Sequence, residues 1–219
     1  MTVTKMPTIL VTGFGPFPGA PFNPTGPLVK RLARLRRPAL AEIKIVAHIF
    51  PTSYAAVDRD LPKLLARHKP SVLVMFGLAP RAKTVRIETR ARNSVSLLPN
   101  AGGNALRRLM IAAGGPAALA MMAPARRLLA AVRAAGVPAE LSRDAGRYLC
   151  NYFCWRAAEA AARPGGPQVA AFVHMPPVRR GPVPRTCMKK RHLSLADLVR
   201  AGRAILRAAP SSAWSGTRQ

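Results

Sequence analysis

Four short apolar runs constrain the fold more than any other feature of this chain. Residues 8–12 (Thr-Ile-Leu-Val-Thr), 43–50, 72–76 (Val-Leu-Val-Met-Phe) and 169–174 are rich in β-branched and large apolar residues. The first stops at the glycine and proline cluster 13–17, and the third at Gly77. Runs this short and this punctuated predict buried strands rather than helices. Between them lie stretches with helical spacing. Residues 26–36 can start from Asn23-Pro24-Thr25. Residues 54–67 place Val57, Leu61, Leu64 and Leu65 on one face, and 124–135 place Leu128, Leu129 and Val132 on one face. Residues 151–163 and 194–209 predict two more helices. Residues 84–91 read as extended, 94–115 as irregular, and 136–142 as a helix stop followed by a short strand. Apolar strands alternating with amphipathic helices predict an α/β layer fold with a largely parallel sheet.

At 219 residues and 49% hydrophobic, the chain has enough apolar surface for one domain with a sizeable core, and wholesale disorder is excluded. With no repeat and no clean linker, one domain over 1–219 is expected, with flexible ends at 1–7 and 211–219. Charge is the unusual feature. Thirty-five Lys and Arg face eight Asp and Glu, for a net +27. Such a balance suggests a polyanion surface. Yet 27 of the positive residues are arginine, in a chain also rich in Ala and Pro, which reads equally as a bias of composition. Three cysteines, Cys150, Cys154 and Cys187, are too few for a secreted disulfide framework. The first residues carry no charged-then-apolar leader pattern, and no apolar run reaches membrane-spanning length. A reduced, cytoplasmic protein is the expectation, with no membrane association.

Three residues sit where α/β folds keep their chemistry, at strand ends and helix starts. Cys150 falls just before the helix expected from Asn151, where unpaired backbone N–H groups and the helix dipole favour a thiolate. His174 closes the last apolar strand and is placed to shuttle a proton. Glu88, one of only four glutamates, lies between Arg86 and Arg90. Each has an ordinary structural reading when taken alone: a small buried hydrophobe, a hydrogen-bonded histidine, and an ion-paired surface acid. Together they form a possible Cys–His–acid set, in which the acid fixes the histidine tautomer. A Cys150–Cys154–His174 metal set lacks an evident fourth ligand.

Four segments in order resemble the pyroglutamyl-peptidase I (pyrrolidone-carboxylate peptidase) family. They are Val11-Thr12-Gly13-Phe14-Gly15-Pro16-Phe17 with Asn23-Pro24-Thr25; Gly77-Leu78-Ala79-Pro80 followed by Ile87-Glu88 and Asn93; the stretch 136–151 ending in Tyr148-Leu149-Cys150-Asn151; and Phe172-Val173-His174-Met175-Pro176. The resemblance implies a three-layer α/β/α sandwich of the phosphorylase/hydrolase kind, with a mostly parallel, mixed central sheet. It implies hydrolysis of the bond after an N-terminal pyroglutamyl residue, with Cys150 as nucleophile, His174 as general base and acid, and Glu88 as the orienting carboxylate. Phe14 and Phe17 would lie against the lactam ring and Asn23 would support their loop, with Leu78, Tyr148 and Leu149 completing the substrate site. No metal or organic cofactor is implied. The partner is a peptide with an N-terminal pyroglutamate, and homo-oligomers, dimers or tetramers, are expected.

Three segments depart from the family pattern. The family usually has Gly-Arg after its Gly-x-Ala-Pro/Gly segment, whereas this chain has Arg81 and Ala82, the arginine displaced by one. Thr89 stands where members usually place an arginine directly after the glutamate. The family's Arg-Ile-Pro-Asp-Asn loop appears as Leu97-Leu98-Pro99-Asn100. These departures support a competing reading, a weakly active or inactive homologue with a binding or regulatory role. The charge supports another, a basic nucleic-acid-binding protein or non-specific polyanion binder. Against that stands an aromatic content of only 5%, with no motif interleaving aromatics and basic residues.

Overall fold

The computed structural model describes residues 6–17, 19–35, 43–96, 109–179 and 193–210. Expectations for the ends 1–5 and 211–219, for 97–108 with the Leu97–Asn100 segment, and for Cys187 and His192 lie outside these residues. Eight strands and five helices are described: β1 (Thr8–Phe14), α1 (Thr25–Ala33), β2 (Lys44–Phe50), α2 (Tyr54–His68), β3 (Val72–Leu78), β4 (Val85–Glu88), β5 (Arg90–Arg92), β6 (Ala118–Ala120), α3 (Ala125–Ala134), β7 (Ala139–Ser142), α4 (Leu149–Ala161), β8 (Val169–Met175) and α5 (Leu195–Ala208). No described helix is long and apolar enough to cross a membrane.

Six strands form one sheet in the order β2-β1-β3-β8-β4-β7. Strands β1, β2, β3 and β8 run parallel, while β4 is antiparallel to β8 and parallel to β7. The sheet is thus mixed and mostly parallel, as expected. Strands β5 and β6 form a separate antiparallel pair. Side chains alternate between the two faces of a strand, and the core divides accordingly. Ile9, Val11, Val72, Val74, Phe76, Val85, Ile87, Ala171 and Val173 pack against α1, α3 and α5 through Leu28, Leu32, Leu128, Val132, Leu198 and Ile205. Leu10, Leu73, Met75, Ala170 and Phe172 pack on the other side against α2 and α4 through Val57, Leu61, Tyr152, Phe153 and Trp155. Helices therefore cover both faces, which completes the three layers.

The same alternation sorts the polar candidates. Val85 and Ile87 occupy the α1/α3/α5 face, so Arg86 and Glu88 must point to the α2/α4 face. Phe172 lies on that face too, and so does His174 two residues on. In the antiparallel register Arg86 pairs with His174 and Glu88 pairs with Phe172. Glu88 and His174 are thus diagonal neighbours on one face of two adjacent strands, within reach of long side chains.

Candidate active site

Helix α4 begins at Leu149, two residues earlier than its sequence predicts, with Tyr148 in extended geometry as its cap. Cys150 therefore lies inside the first turn rather than before it. The backbone N–H groups of that turn have no carbonyl four residues back and are free to face an anion. Asn151 fixes this end of the helix. Its buried side chain accepts from the Arg92 N–H at 2.8 Å and donates to the Arg92 and Ser94 carbonyls, both at 2.8 Å. The sequence alone assigns Asn151 no role, because an asparagine after a cysteine carries no signal until β5 is known to lie alongside. Cys154, one turn further on, is fully buried, and burial pushes its thiol well above the ordinary value. Cys150 is the half-buried thiol of the pair.

On the sheet, His174 Nδ1 lies 2.8 Å from Glu88 Oε1, with Glu88 wholly buried and His174 nearly so. A buried carboxylate accepts, so Nδ1 carries the proton and Nε2 is left for Cys150. Burial alone would lower the His174 pKa. The charge and hydrogen bond of Cys150, then those of Glu88, outweigh it and hold the imidazole at about 9. The second Glu88 oxygen has no hydrogen-bond partner among the described residues. The carboxylate thus depends on the imidazole for its compensation. The Phe172 ring meets the His174 ring edge-on, with centroids 5.0 Å apart, and confines its orientation. Gly77, on β3, is the register partner of His174 on β8. A Cβ there would come within 3.0 Å of Cys150 Sγ, so the thiol sits in a space that only glycine leaves.

Cys150 and His174 open onto a cleft of about 470 Å³. Phe14, Phe17, Asn23, Leu78, Tyr148 and Leu149 line it, so every residue expected at the site is brought there except Glu88, which lies behind His174. Phe14 has a double placement. It is 3% exposed and packs edge-on against Phe153 at 5.6 Å, so it belongs to the core while one side faces the cleft. Asn23 donates to the Gly15 carbonyl at 3.1 Å and accepts from the Thr25 N–H and hydroxyl. Those bonds tie the loop after β1 to the start of α1.

Thr52, Ala145, Arg81, Arg86 and Asp144 also line the cleft and were not singled out as site residues. The displaced Arg81 is thus still at the site. Thr89, in the place of the family's arginine, donates through its hydroxyl to the Ser142 carbonyl at 2.8 Å and joins the ends of β4 and β7. His48 and His68 line no part of the cleft. The arrangement can generate a thiolate–imidazolium pair beside free backbone donors, which suits attack on a carbonyl.

Comparison with known proteins agrees with this chemistry. The family model described as pyroglutamyl peptidase matches residues 7–211. The pyrrolidone-carboxylate peptidase of Clavibacter michiganensis is 37% identical over 174 residues, 78% of this chain and 79% of that protein. That of Pyrococcus furiosus is 30% identical over 169 residues, 77% and 80%. The solved pyrrolidone carboxyl peptidase of Thermococcus litoralis matches with a TM-score of 0.86 at 25% identity, covering 96% of each chain. A match that runs through both strands carrying Glu88 and His174 and through the helix carrying Cys150 leaves one conclusion: the chain belongs to the pyroglutamyl peptidase family of cysteine peptidases.

Proposed function

We propose that the chain removes an N-terminal pyroglutamyl residue from peptides, with Cys150 as nucleophile, His174 as proton carrier and Glu88 as the group that orients His174. The observation that carries this reading is the buried His174–Glu88 bond at 2.8 Å beside Cys150, in a cleft with largely apolar walls. The pyroglutamyl ring is an uncharged lactam. Phe17, Leu78 and Leu149 offer it apolar contact, with Phe14 at its edge, while Asn23 holds the loop and Tyr148 completes the lining. Cys150 Sγ attacks the pyroglutamyl carbonyl carbon, and the N–H groups at the start of α4 face the developing oxyanion. His174 gives its Nε2 proton to the departing amine as the C–N bond breaks, leaving a thioester. A water then gives its proton to His174, attacks the thioester carbon and releases pyroglutamate and the thiolate.

The test is release of a fluorophore from a pyroglutamyl amide. The wild type should turn over, and Cys150→Ala should fall by about a thousandfold or more. Glu88→Gln should fall by about a hundred- to ten-thousandfold through loss of the imidazolium's counter-charge and of the fixed tautomer. The His174 proton is raised to about 9, so it is present below that pH and lost above it. kcat/KM should therefore decline on the alkaline side near 9, and Glu88→Gln should move that limb to lower pH. A wild type as silent as Cys150→Ala would overturn the proposal.

A further inference from the structure

Three charged side chains face the cleft besides the catalytic pair: Arg81, Arg86 and Asp144. Two are already compensated. Arg86 Nε donates to Glu140 Oε1 at 2.8 Å, and Asp144 Oδ1 lies 3.3 Å from Arg92 Nη1. Arg81 has no ion pair or side-chain hydrogen bond among the described residues, and its side chain is exposed. Its backbone is nevertheless fixed. The Ala79 N–H donates to the Met175 carbonyl at 2.9 Å, and the Ala82 N–H closes a turn on the Ala79 carbonyl at 3.0 Å. The turn carrying Arg81 is therefore tied to the residue that follows His174 on β8.

An uncharged lactam has no use for this guanidinium. Nothing precedes the pyroglutamyl ring in a substrate, so only the leaving side of the peptide runs out past the exposed groups at the mouth. Resting on the reading of the cleft given above, we propose that Arg81 is a specificity-determining residue that selects substrates with a carboxylate on the leaving side. The carboxylate is either an acidic side chain on the residue after pyroglutamate or the free α-carboxylate of a pyroglutamyl dipeptide. Arginine suits both, because its planar fork matches a carboxylate and stays charged at any working pH. The general positive field of the chain raises the local concentration of every anion and does not distinguish this position from others.

Two substrate pairs separate the sources of the carboxylate. Pyroglutamyl-glutamate against pyroglutamyl-glutamine, both amidated, isolates the side chain. Pyroglutamyl-alanine as free acid against its amide isolates the α-carboxylate. The acid member of at least one pair should show about fivefold higher kcat/KM, and Arg81→Gln should bring that ratio to about one. About 1 M salt should do the same, since its screening length is only ~3 Å. Arg67→Gln, an exposed arginine on α2, should keep the ratio. The same peptides are also titrated calorimetrically against Cys150→Ala, which cannot form the thioester. A silent wild type then overturns the hydrolase reading, while the affinity ratio still decides the role of Arg81. Ratios near one for both pairs, undetected binding of all four peptides, or equal loss in Arg67→Gln and Arg81→Gln would overturn the inference.

Discussion

Gly77, the penultimate residue of β3, lies beside His174, and its φ is ordinary, so glycine is needed there for space rather than for backbone freedom. A Cβ would stand 2.6 Å from Phe172 Cζ as well as 3.0 Å from Cys150 Sγ. Phe172 is fully buried and has no room to swing clear, so relief must come from displacing the thiol or from pressing the Phe172 ring further against His174. Gly77→Ala should cost about 1–3 kcal/mol of stability and lower kcat/KM by about ten- to a hundredfold, because small misplacements of a nucleophile are expensive. Urea unfolding and the pyroglutamyl-amide assay measure the two effects, and kcat/KM within twofold of wild type would refute the argument. In the sequence Gly77 was legible as a strand stop and as the start of a family-like segment, and nothing in either marks the space it leaves for the thiol; the strand itself runs on to Leu78. Glu88 was more legible, because a chain with eight acids offers few carboxylates to choose among. Phe14 shows the opposite limit: only its motif pointed to the substrate, and its place in the core follows from Phe50 and Phe153, which approach it only in the folded chain.

At the scale of elements, the site requires the first turn of α4 to be held against the sheet, and Asn151 does this by replacing the missing strand partners of β5. Asn151→Ala would leave one N–H and two carbonyls of the 92–94 segment short of a partner in a half-buried setting. The expected loss is about 3 kcal/mol by urea unfolding, with kcat reduced more than KM is raised, since the clamp positions Cys150 and does not touch the cleft. Asn151→Asp keeps the acceptor for Arg92 but sets a charge against two carbonyls, so it should be no better than alanine. A loss under about 0.5 kcal/mol for both variants would show that the helix start is held by other contacts. Long apolar elements such as β1, β3, β8 and α2 were readable because local pattern and burial agree in them. The direction of β4 was not, since residues 84–91 predict extension but not which neighbour they join. Its antiparallel pairing with β8 is a long-range choice, and it is the choice that brings Glu88 beside His174. β6 escaped notice because three residues of Ala-Leu-Ala hold no periodicity to detect.

For the whole molecule, the net charge acts as a field rather than as a motif. Spread over a surface of 12389 Å², 27 net positive charges lie on average roughly 20 Å apart. The screening length is ~30 Å at 0.01 M salt and ~8 Å at 0.15 M. At the lower concentration each charge therefore feels several neighbours, and at the higher almost none. The described ion pairs are mostly at least partly exposed and absorb little of this repulsion. Unfolding lets the charges move apart, so self-repulsion destabilises the folded chain most when salt is low. Raising salt from about 0.01 to 0.15 M should increase the thermal midpoint, equally with NaCl and KCl, because screening depends on ionic strength and not on the cation. Arginine supplies most of the charge and does not titrate below pH 11, so the increase should persist at pH 9, where a lysine-rich surface would begin to lose it. A midpoint that is flat or falls with salt would mean that the positive charges are already neutralised locally, by arrangements beyond the ion pairs described.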